Sequence, residues 1–240
     1  MLKTDRIGEQ EEDHFIKGVK DSLPTLFGYI SIGIAFGVVG IASNLNTLEI
    51  TLLSILVYAG AAQFIFCGLY LAGTPASIII LTTFIVNLRH LLMSLTIAPS
   101  FTNQSLLRNI GFGSLLTDET FGVAVTKRAQ TGTLGPRWMD GQNITAYLAW
   151  IAASVVGALI GKWIPNPEKL GLDFALTAMF VALLVLSITA ATRTKIMHYL
   201  QLIGYMAVII YFLLYFTSTH IAVLVGTVVV ATIGVVTEKK

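Results

Sequence analysis

The tetrapeptide Asn87-Leu88-Arg89-His90 places an amide, a cation and an imidazole side by side, in the middle of an otherwise apolar or hydroxyl-bearing segment, residues 76–98. Such groups could bind an anionic or zwitterionic solute and accept a proton. If the segment spans a membrane, its central Arg costs roughly 2.5 to 3.5 kcal/mol on insertion scales. We therefore expect Arg89 to face protein or water, to find a partner, and to mark a substrate or ion path.

Polar side chains recur along the same segment at helical spacing. Thr83, Asn87, His90 and Ser94 lie at intervals that place them on one narrow face of a helix, here called the polar stripe. Hydroxyl groups alone commonly close hydrogen bonds between membrane helices. Combined with the amide, the imidazole and the neighbouring Arg, the stripe predicts the lining of a pathway.

Two acids, Asp118 and Glu119, occupy the centre of a second segment, residues 109–128, at the depth expected for Arg89. Neighbouring antiparallel helices with a short connection predict an ion pair between them. One Arg, two carboxylates and a neutral His leave one negative charge in excess, and a buried uncompensated charge tends to neutralise. We expect a proton-accepting group among Asp118, Glu119 and His90. The alternative is a static ion pair that only fixes helix register.

A third feature is the run of small residues at positions 58–64, which includes Gly60 and the intramembrane amide of Gln63. A broken helix here would expose N-terminal amides to an anionic group, as transporters often arrange. Tight packing against Gly33 and Gly37 of the preceding segment is the other interpretation, and the Gly-x-x-x-Gly spacing favours it.

Composition indicates the elements that must position these groups. The 240 residues are 55% hydrophobic and 12% charged, and apolar runs near 20 residues long recur without the alternation of barrel strands. The sequence predicts an all-α integral membrane protein, with a cytoplasmic N-terminal segment at 1–22 and a single transmembrane domain at 23–238. The predicted spans are 24–43, 49–72, 76–98, 109–128, 143–164, 173–192, 197–216 and 219–236.

The distribution of Lys and Arg favours eight spans over seven. With both termini cytoplasmic, eight spans place eleven Lys and Arg residues inside and three outside, one of them Arg108. If residues 109–128 did not cross, the ratio would become six to eight. An offset of 124 residues suggests an internal repeat, parallel for eight spans and inverted for seven. It aligns Gly33 with Gly157, Gly37 with Gly161 and Glu49 with Asp173.

Other functional classes have no support in the sequence. There is no Gly-x-x-x-x-Gly-Lys loop and no Cys or His cluster with metal spacing, so we expect no enzymatic activity, no cofactor and no metal site. The positive charges are dispersed over short loops, which argues against a nucleic-acid partner. The single cysteine, Cys67, is expected to pack in the core.

Three motifs make the chain resemble the AzlC family, the large membrane subunit of bacterial branched-chain amino acid exporters. They are the segments 58–64, 87–90 and 116–121, and the resemblance covers roughly residues 18–236. It implies export of leucine, isoleucine, valine and perhaps methionine, a small AzlD-type membrane subunit as partner, and a bacterial inner membrane.

The candidate site fits this substrate class. Arg89 could meet the carboxylate of an amino acid, and Asp118 and Glu119 its ammonium, within aliphatic walls. Uptake of protons from outside would then compete with the substrate, which gives proton antiport. A small-anion channel with Arg89 as its selectivity charge and a membrane scaffold subunit without transport are the alternatives.

Overall fold

The computed structural model describes residues 14–164, 193–217 and 219–237, with isolated positions between 174 and 185. Every regular element in these residues is a helix, in agreement with the predicted all-α class. The chain divides into two compact units, Met1–Leu176 and Thr177–Lys240. The helices are α1 (Phe15–Ala42), α2 (Thr47–Leu56), α3 (Gly60–Leu71), α4 (Ala76–Ile97, continued by a 3₁₀ turn, Ala98–Phe101), α5 (Leu106–Ser114), α6 (Asp118–Thr131), α7 (Pro136–Gly161), α8 (Arg193–Leu213) and α9 (Thr219–Thr237).

Four of the described helices are long and apolar enough to cross a membrane. They are α1, α4 with its 3₁₀ turn, α7, and the Ile196–Leu213 part of α8. In the second unit α8 and α9 contact each other, and they match the predicted spans 197–216 and 219–236. The predicted span 173–192 lies outside the described residues.

The first unit is built on α1 and α7, which run parallel along their whole length. Gly18 near the start of α1 faces Trp138 near the start of α7, and Gly37 near the end of α1 faces Ser154 and Ala158. We call the end where both helices begin the near end, and the opposite end the far end. The partner of Gly37 is therefore α7, and the predicted packing of that face on the 58–64 run is wrong.

The second predicted span, 49–72, is not one helix. Asn46 and Glu49 form a capping box that starts α2, and α2 ends at Leu56. Residue Tyr58 then takes a left-handed backbone conformation, with φ of 41°, before α3 begins at Gly60. A non-glycine residue in this region strains the backbone, and such a residue turns the chain sharply.

After this turn the chain reverses its direction, and α3 runs antiparallel to α2. Ile50 of α2 contacts Gly40 near the far end of α1, and the tip at Tyr58 is a neighbour of Tyr29, midway along α1. In α3 the ring of Phe64 packs on Phe36 of α1, with 5.7 Å between centroids, and Phe64 is therefore closer to the far end again. Helices α2 and α3 form a re-entrant hairpin, the first hairpin, that starts and ends at the far end.

Helices α5 and α6 form a second hairpin, which enters from the near end. Arg108 of α5 pairs with Asp140 at the start of α7, and the tip at Thr117 contacts Tyr29. Helix α6 then returns, and its Lys127 lies 4.0 Å from Asp21, near the start of α1. Gly132, with φ of 76°, ends α6 in the left-handed conformation that glycine adopts without Cβ strain.

The two hairpins overturn the predicted eight crossing spans, because 49–72 and 109–128 turn back instead of crossing. Helix α4 runs from the far end to the near end, where the Thr96 carbonyl accepts a hydrogen bond from Arg128 of α6. One long helix plus one hairpin thus occurs twice, as α1–α3 and as α4–α6, in opposite orientations. Helix α3 begins at Gly60 and α6 begins at Asp118, 58 residues later in the sequence.

Two further predictions about the chain differ from the structure in detail or stay open. Helix α1 begins at Phe15 and contains Pro24, so the predicted boundary after residue 22 lies inside a helix. The repeat at an offset of 124 residues stays a prediction: its glycine pairs belong to the α1–α7 interface, and its third match, at Asp173, lies outside the described residues.

Candidate functional site

The tips of the two hairpins converge on Tyr29, in the middle of the first unit. The Tyr29 hydroxyl is hydrogen-bonded to Thr117 Oγ1 and donates a hydrogen bond to Glu119 Oε2 at 3.3 Å. The hydroxyl of Tyr58 is also a neighbour of the Tyr29 hydroxyl. Tyr29 is 2% exposed. One buried phenol therefore links the two re-entrant tips.

The second tip presents two carboxylates at a helix N-terminus. Thr117 and Thr120 form a reciprocal cap, in which Thr117 Oγ1 accepts from the Thr120 amide and the Thr117 amide donates to Thr120 Oγ1. Asp118 and Glu119 follow in the first turn, where the helix dipole favours negative charge. The acids are therefore at the start of a half-helix, and the expected continuous helix through them is wrong.

The expected ion pair with the 87–90 motif is present. Arg89 Nη1 lies 2.8 Å from Asp118 Oδ2, and the two side chains are 29% and 23% exposed. Glu119 has a different partner, the Tyr29 hydroxyl, and it forms no ion pair within the described part of the chain. His90 is an electrostatic neighbour of both Arg89 and Asp118. The excess negative charge of this layer therefore falls on Glu119.

The first tip carries no charge. Ala59 is the N-cap of α3 and has no side chain that could bond the first turn. A Cβ on Gly60 would lie 2.9 Å from Cη2 of Trp150, so only glycine lets the indole approach the start of α3 this closely.

Gln63 and Gly60, both predicted to line the pathway, lie against Trp150 of α7. Gln63 Oε1 accepts a hydrogen bond from Trp150 Nε1 at 2.9 Å, and its amide nitrogen donates to Ser54 Oγ at 3.4 Å. The indole packs edge-on against the Tyr29 ring, with 5.3 Å between centroids. Both residues are thus near the tips, and their contacts hold the aromatic group that positions Tyr29.

The polar stripe of α4 is divided among several surroundings. Ser94 Oγ lies against Gly113 of α5. Thr83 Oγ1 and Asn87 Oδ1 are buried and have no hydrogen-bond partner among the described residues. The stripe therefore brings the unsatisfied Asn87 Oδ1 close to the level of Arg89, which is two residues further along the helix.

Tyr29, Tyr58, Thr117 and Trp150 were not among the predicted site residues. Tyr58 and Thr117 belong to the motifs quoted above, but a tyrosine or threonine at a motif edge does not identify a helix break. The sequence signal for Tyr29 is a single phenol in an otherwise apolar and glycine-rich span. The described residues contain no group of three His, Cys, Asp or Glu side chains placed to hold a metal ion.

Comparison with known proteins identifies the family. A family model described as AzlC protein matches residues 24–164, more than half of the chain. The chain belongs to the AzlC family. The matched range contains both hairpin tips, Arg89 and Asp118, so the whole candidate site lies in the part that defines the family. No solved structure matches the chain.

Several known proteins are similar to this chain over most of their length. The inner membrane protein YgaZ of Escherichia coli is 31% identical over 185 residues, 72% of this chain and 73% of the relative. An uncharacterized membrane protein of Archaeoglobus fulgidus is 31% identical over 177 residues, 71% of this chain and 74% of the relative. The branched-chain amino acid transport protein AzlC of Bacillus subtilis is 25% identical over 167 residues, 68% of this chain and 64% of the relative. These relatives and the long apolar helices make this chain a multi-pass membrane protein.

Proposed function

We propose that this protein exports the branched-chain amino acids leucine, isoleucine and valine, and also methionine, by proton antiport. In this proposal it is the large subunit of a two-component exporter with a small AzlD-type membrane subunit. The observation that carries the proposal is the meeting of two re-entrant tips at Tyr29, beside Arg89, Asp118 and Glu119. The name of the Bacillus subtilis relative, a branched-chain amino acid transport protein, supports the substrate class.

The charge arrangement supports a carrier for a zwitterion. Arg89 and Asp118 compensate each other at 2.8 Å, so Glu119 is the carboxylate left to attract a cation. An ammonium group and a proton are both suitable, and they would exclude each other at one carboxylate. Competition of this kind couples proton entry to substrate exit. Among the three candidate proton acceptors, the geometry favours Glu119 over Asp118 and His90.

The same pair argues against a small-anion channel. A selectivity charge for anions has to act on the permeating ion, whereas the Arg89 guanidinium is held on Asp118. A scaffold subunit that does not transport would have no need for two hairpin tips that bring polar groups together at Tyr29. Transport that persists in an Arg89→Ala variant would favour the scaffold.

We place the near end in the cytoplasm of a bacterial cell, at the inner membrane. The positively charged residues that flank the helices of the first unit are concentrated there, and the far end has Lys162. Because each hairpin returns to the side from which it enters, the number of crossings is two lower than the predicted eight. The number is still even, so both termini are on the cytoplasmic side in this proposal. The near-end residues are Lys17, Lys20, Arg108, Lys127, Arg128 and Arg137.

Transport by reconstituted protein tests the proposal. The full chain is placed in proteoliposomes with and without a small AzlD-type subunit, and uptake of labelled leucine is followed with and without an imposed pH gradient. We expect accumulation of leucine in inside-out vesicles that depends on the gradient. No leucine transport in either preparation would contradict the proposed function, and accumulation that ignores the gradient would contradict proton coupling.

A further inference from the structure

The start of α3 is a buried helix N-terminus with unused donors. The first hydrogen bond of this helix is donated by the Gln63 amide to the Ala59 carbonyl. The amides of the three preceding residues, 60–62, donate no hydrogen bond within the described part of the chain, and the N-cap Ala59 has no side-chain oxygen that could accept one. Ala61 and Ala62 are at most 1% exposed. A buried helix end of this kind has donors available for a partner that the described part of the chain does not supply.

The second observation is the hydroxyl of Tyr58, two residues before α3. Tyr58 is 5% exposed, and its hydroxyl makes no hydrogen bond of normal geometry within the described residues, although it is close enough to the Tyr29 hydroxyl for the two to interact. Its ring is fixed edge-on against Tyr147, with 4.8 Å between centroids. The ring contact therefore holds this phenol beside Tyr29, where the two tips meet.

The second tip is acidic. Glu119 is an electrostatic neighbour of both Tyr29 and Tyr58, and it belongs to the tip whose N-terminus is already capped by Thr117. Among the described residues, the first tip thus has hydrogen-bond donors without an acceptor, and the second tip has a carboxylate that pairs with no cation. An α-amino acid has the complementary pair of groups, a carboxylate and an ammonium on adjacent atoms.

We propose that the first tip, comprising the Tyr58 hydroxyl and the amides of residues 60–62, binds the carboxylate of the transported amino acid, while Glu119 of the second tip binds its ammonium. This assignment rests on the proposed transport function, and it replaces Arg89 as the carboxylate ligand. Helix N-termini are well suited to carboxylates because their amides point at the ligand along the helix dipole. Arg89 then acts on the site through Asp118, as a positioning residue for the second tip.

A set of leucine analogues separates the two ends of the site. In the full-length protein in lipid nanodiscs, we compare binding of leucine with 3-methylbutylamine, which lacks the carboxylate, and with 4-methylpentanoate, which lacks the ammonium. Tyr58→Phe is expected to weaken leucine binding about tenfold, the effect of one hydrogen bond to a charged group. The affinity for 3-methylbutylamine should stay unchanged. Tyr70→Phe, on the exposed side of α3, is the matched control.

Ala59→Ser tests the helix N-terminus independently. A serine at the N-cap supplies the missing acceptor for α3, so the ligand-free protein should unfold at a higher temperature. The same hydroxyl would compete with the substrate carboxylate, and leucine binding should weaken while 3-methylbutylamine binding is retained. Damage to packing would lower both the unfolding temperature and the affinity for leucine, whereas here the unfolding temperature should rise while the affinity falls.

The outcomes distinguish this assignment from the proposed function. Wild-type protein that neither binds nor transports leucine overturns both. If the protein transports leucine, but Tyr58→Phe and Ala59→Ser both keep the wild-type preference for leucine over 3-methylbutylamine, the carboxylate assignment alone is overturned. A Glu119→Gln variant should show the reverse selectivity, with weaker leucine binding and unchanged binding of 4-methylpentanoate.

Discussion

Arg89 holds Asp118 across the boundary between a long helix and a re-entrant tip, with Nη1 2.8 Å from Oδ2. Helix α4 runs from one end of the first unit to the other, whereas α6 begins at Asp118 in the middle. The ion pair therefore ties the tip of the second hairpin to a continuous helix. The adjacent residue, Glu119, is left to the Tyr29 hydroxyl.

Removal of one partner should be more damaging than removal of both. Arg89→Ala leaves Asp118 without its cation, and we expect a loss of about 2 kcal/mol in unfolding free energy, below the value for a fully buried pair because both side chains are partly exposed. Arg89→Ala with Asp118→Ala should recover most of this stability. Neither variant should transport leucine. Thermal unfolding in detergent and uptake by proteoliposomes measure the two effects.

The matched control for this ion pair is at the base of the same hairpin. Arg108 and Asp140 form a pair whose side chains are 35% and 33% exposed. Arg108→Ala should change the unfolding free energy by less than about 1 kcal/mol. Equal effects of Arg89→Ala and Arg108→Ala would show that the central pair has no special role.

Neutralisation of Glu119 should separate exchange from proton coupling. Glu119→Gln keeps the shape and can still accept from Tyr29, but it can no longer bind or release a proton. We expect leucine counterflow to continue at reduced rate, while an imposed pH gradient no longer drives accumulation. Asp118→Asn should instead reduce both activities, because it removes the ion pair with Arg89. Gradient-driven accumulation at wild-type level in Glu119→Gln would assign the proton to another group.

The two-hairpin fold and a topology of eight crossing helices place two loops on different sides of the membrane. In a Cys67→Ser background, Ala72→Cys should react with an impermeant maleimide from the same side as Ala42→Cys, because the first hairpin returns to the far end. Asn103→Cys should be accessible from the same side as Thr133→Cys. Eight crossing spans would place positions 72 and 42 on opposite sides. Labelling of intact and permeabilised cells reads this directly.

Hydropathy predicts the apolar segments but not their direction. A segment such as 49–72 is long enough for one crossing or for two half-crossings, and its mean hydropathy is the same in both cases. The distinguishing features are local: the strained turn at Tyr58 and the cap at Thr117. A strained non-glycine residue has no signature in a single sequence. A threonine before two acids is typical of a helix N-terminus, but here it lies inside a segment that is long enough for one crossing.

The relation between Arg89 and Asp118 could be predicted although the topology was wrong. A hairpin that turns midway between the two ends of the first unit puts its central residues at the depth that a crossing helix would give them. The depth of the central residues is therefore the same in both topologies, although the direction of the chain after them differs. The partners of Tyr29 and Trp150 could not be predicted, because their contacts depend on how α1 and α7 rotate against the two tips.

The parallel packing of α1 and α7 yields a test that does not depend on function. A Cβ at Gly157 would overlap the Ile34 carbonyl oxygen and lie 2.7 Å from its Cα, whereas a Cβ at Gly28, also in a helix, would have no atom within 4 Å. Gly157→Ala should therefore lower the unfolding free energy by about 1 to 3 kcal/mol, since backbone atoms have to move. Gly28→Ala should raise it by about 0.5 to 1 kcal/mol, because alanine restricts the unfolded chain. Thermal unfolding of both variants in one detergent makes the comparison, and the same sign of effect for both would contradict close contact between these two helices.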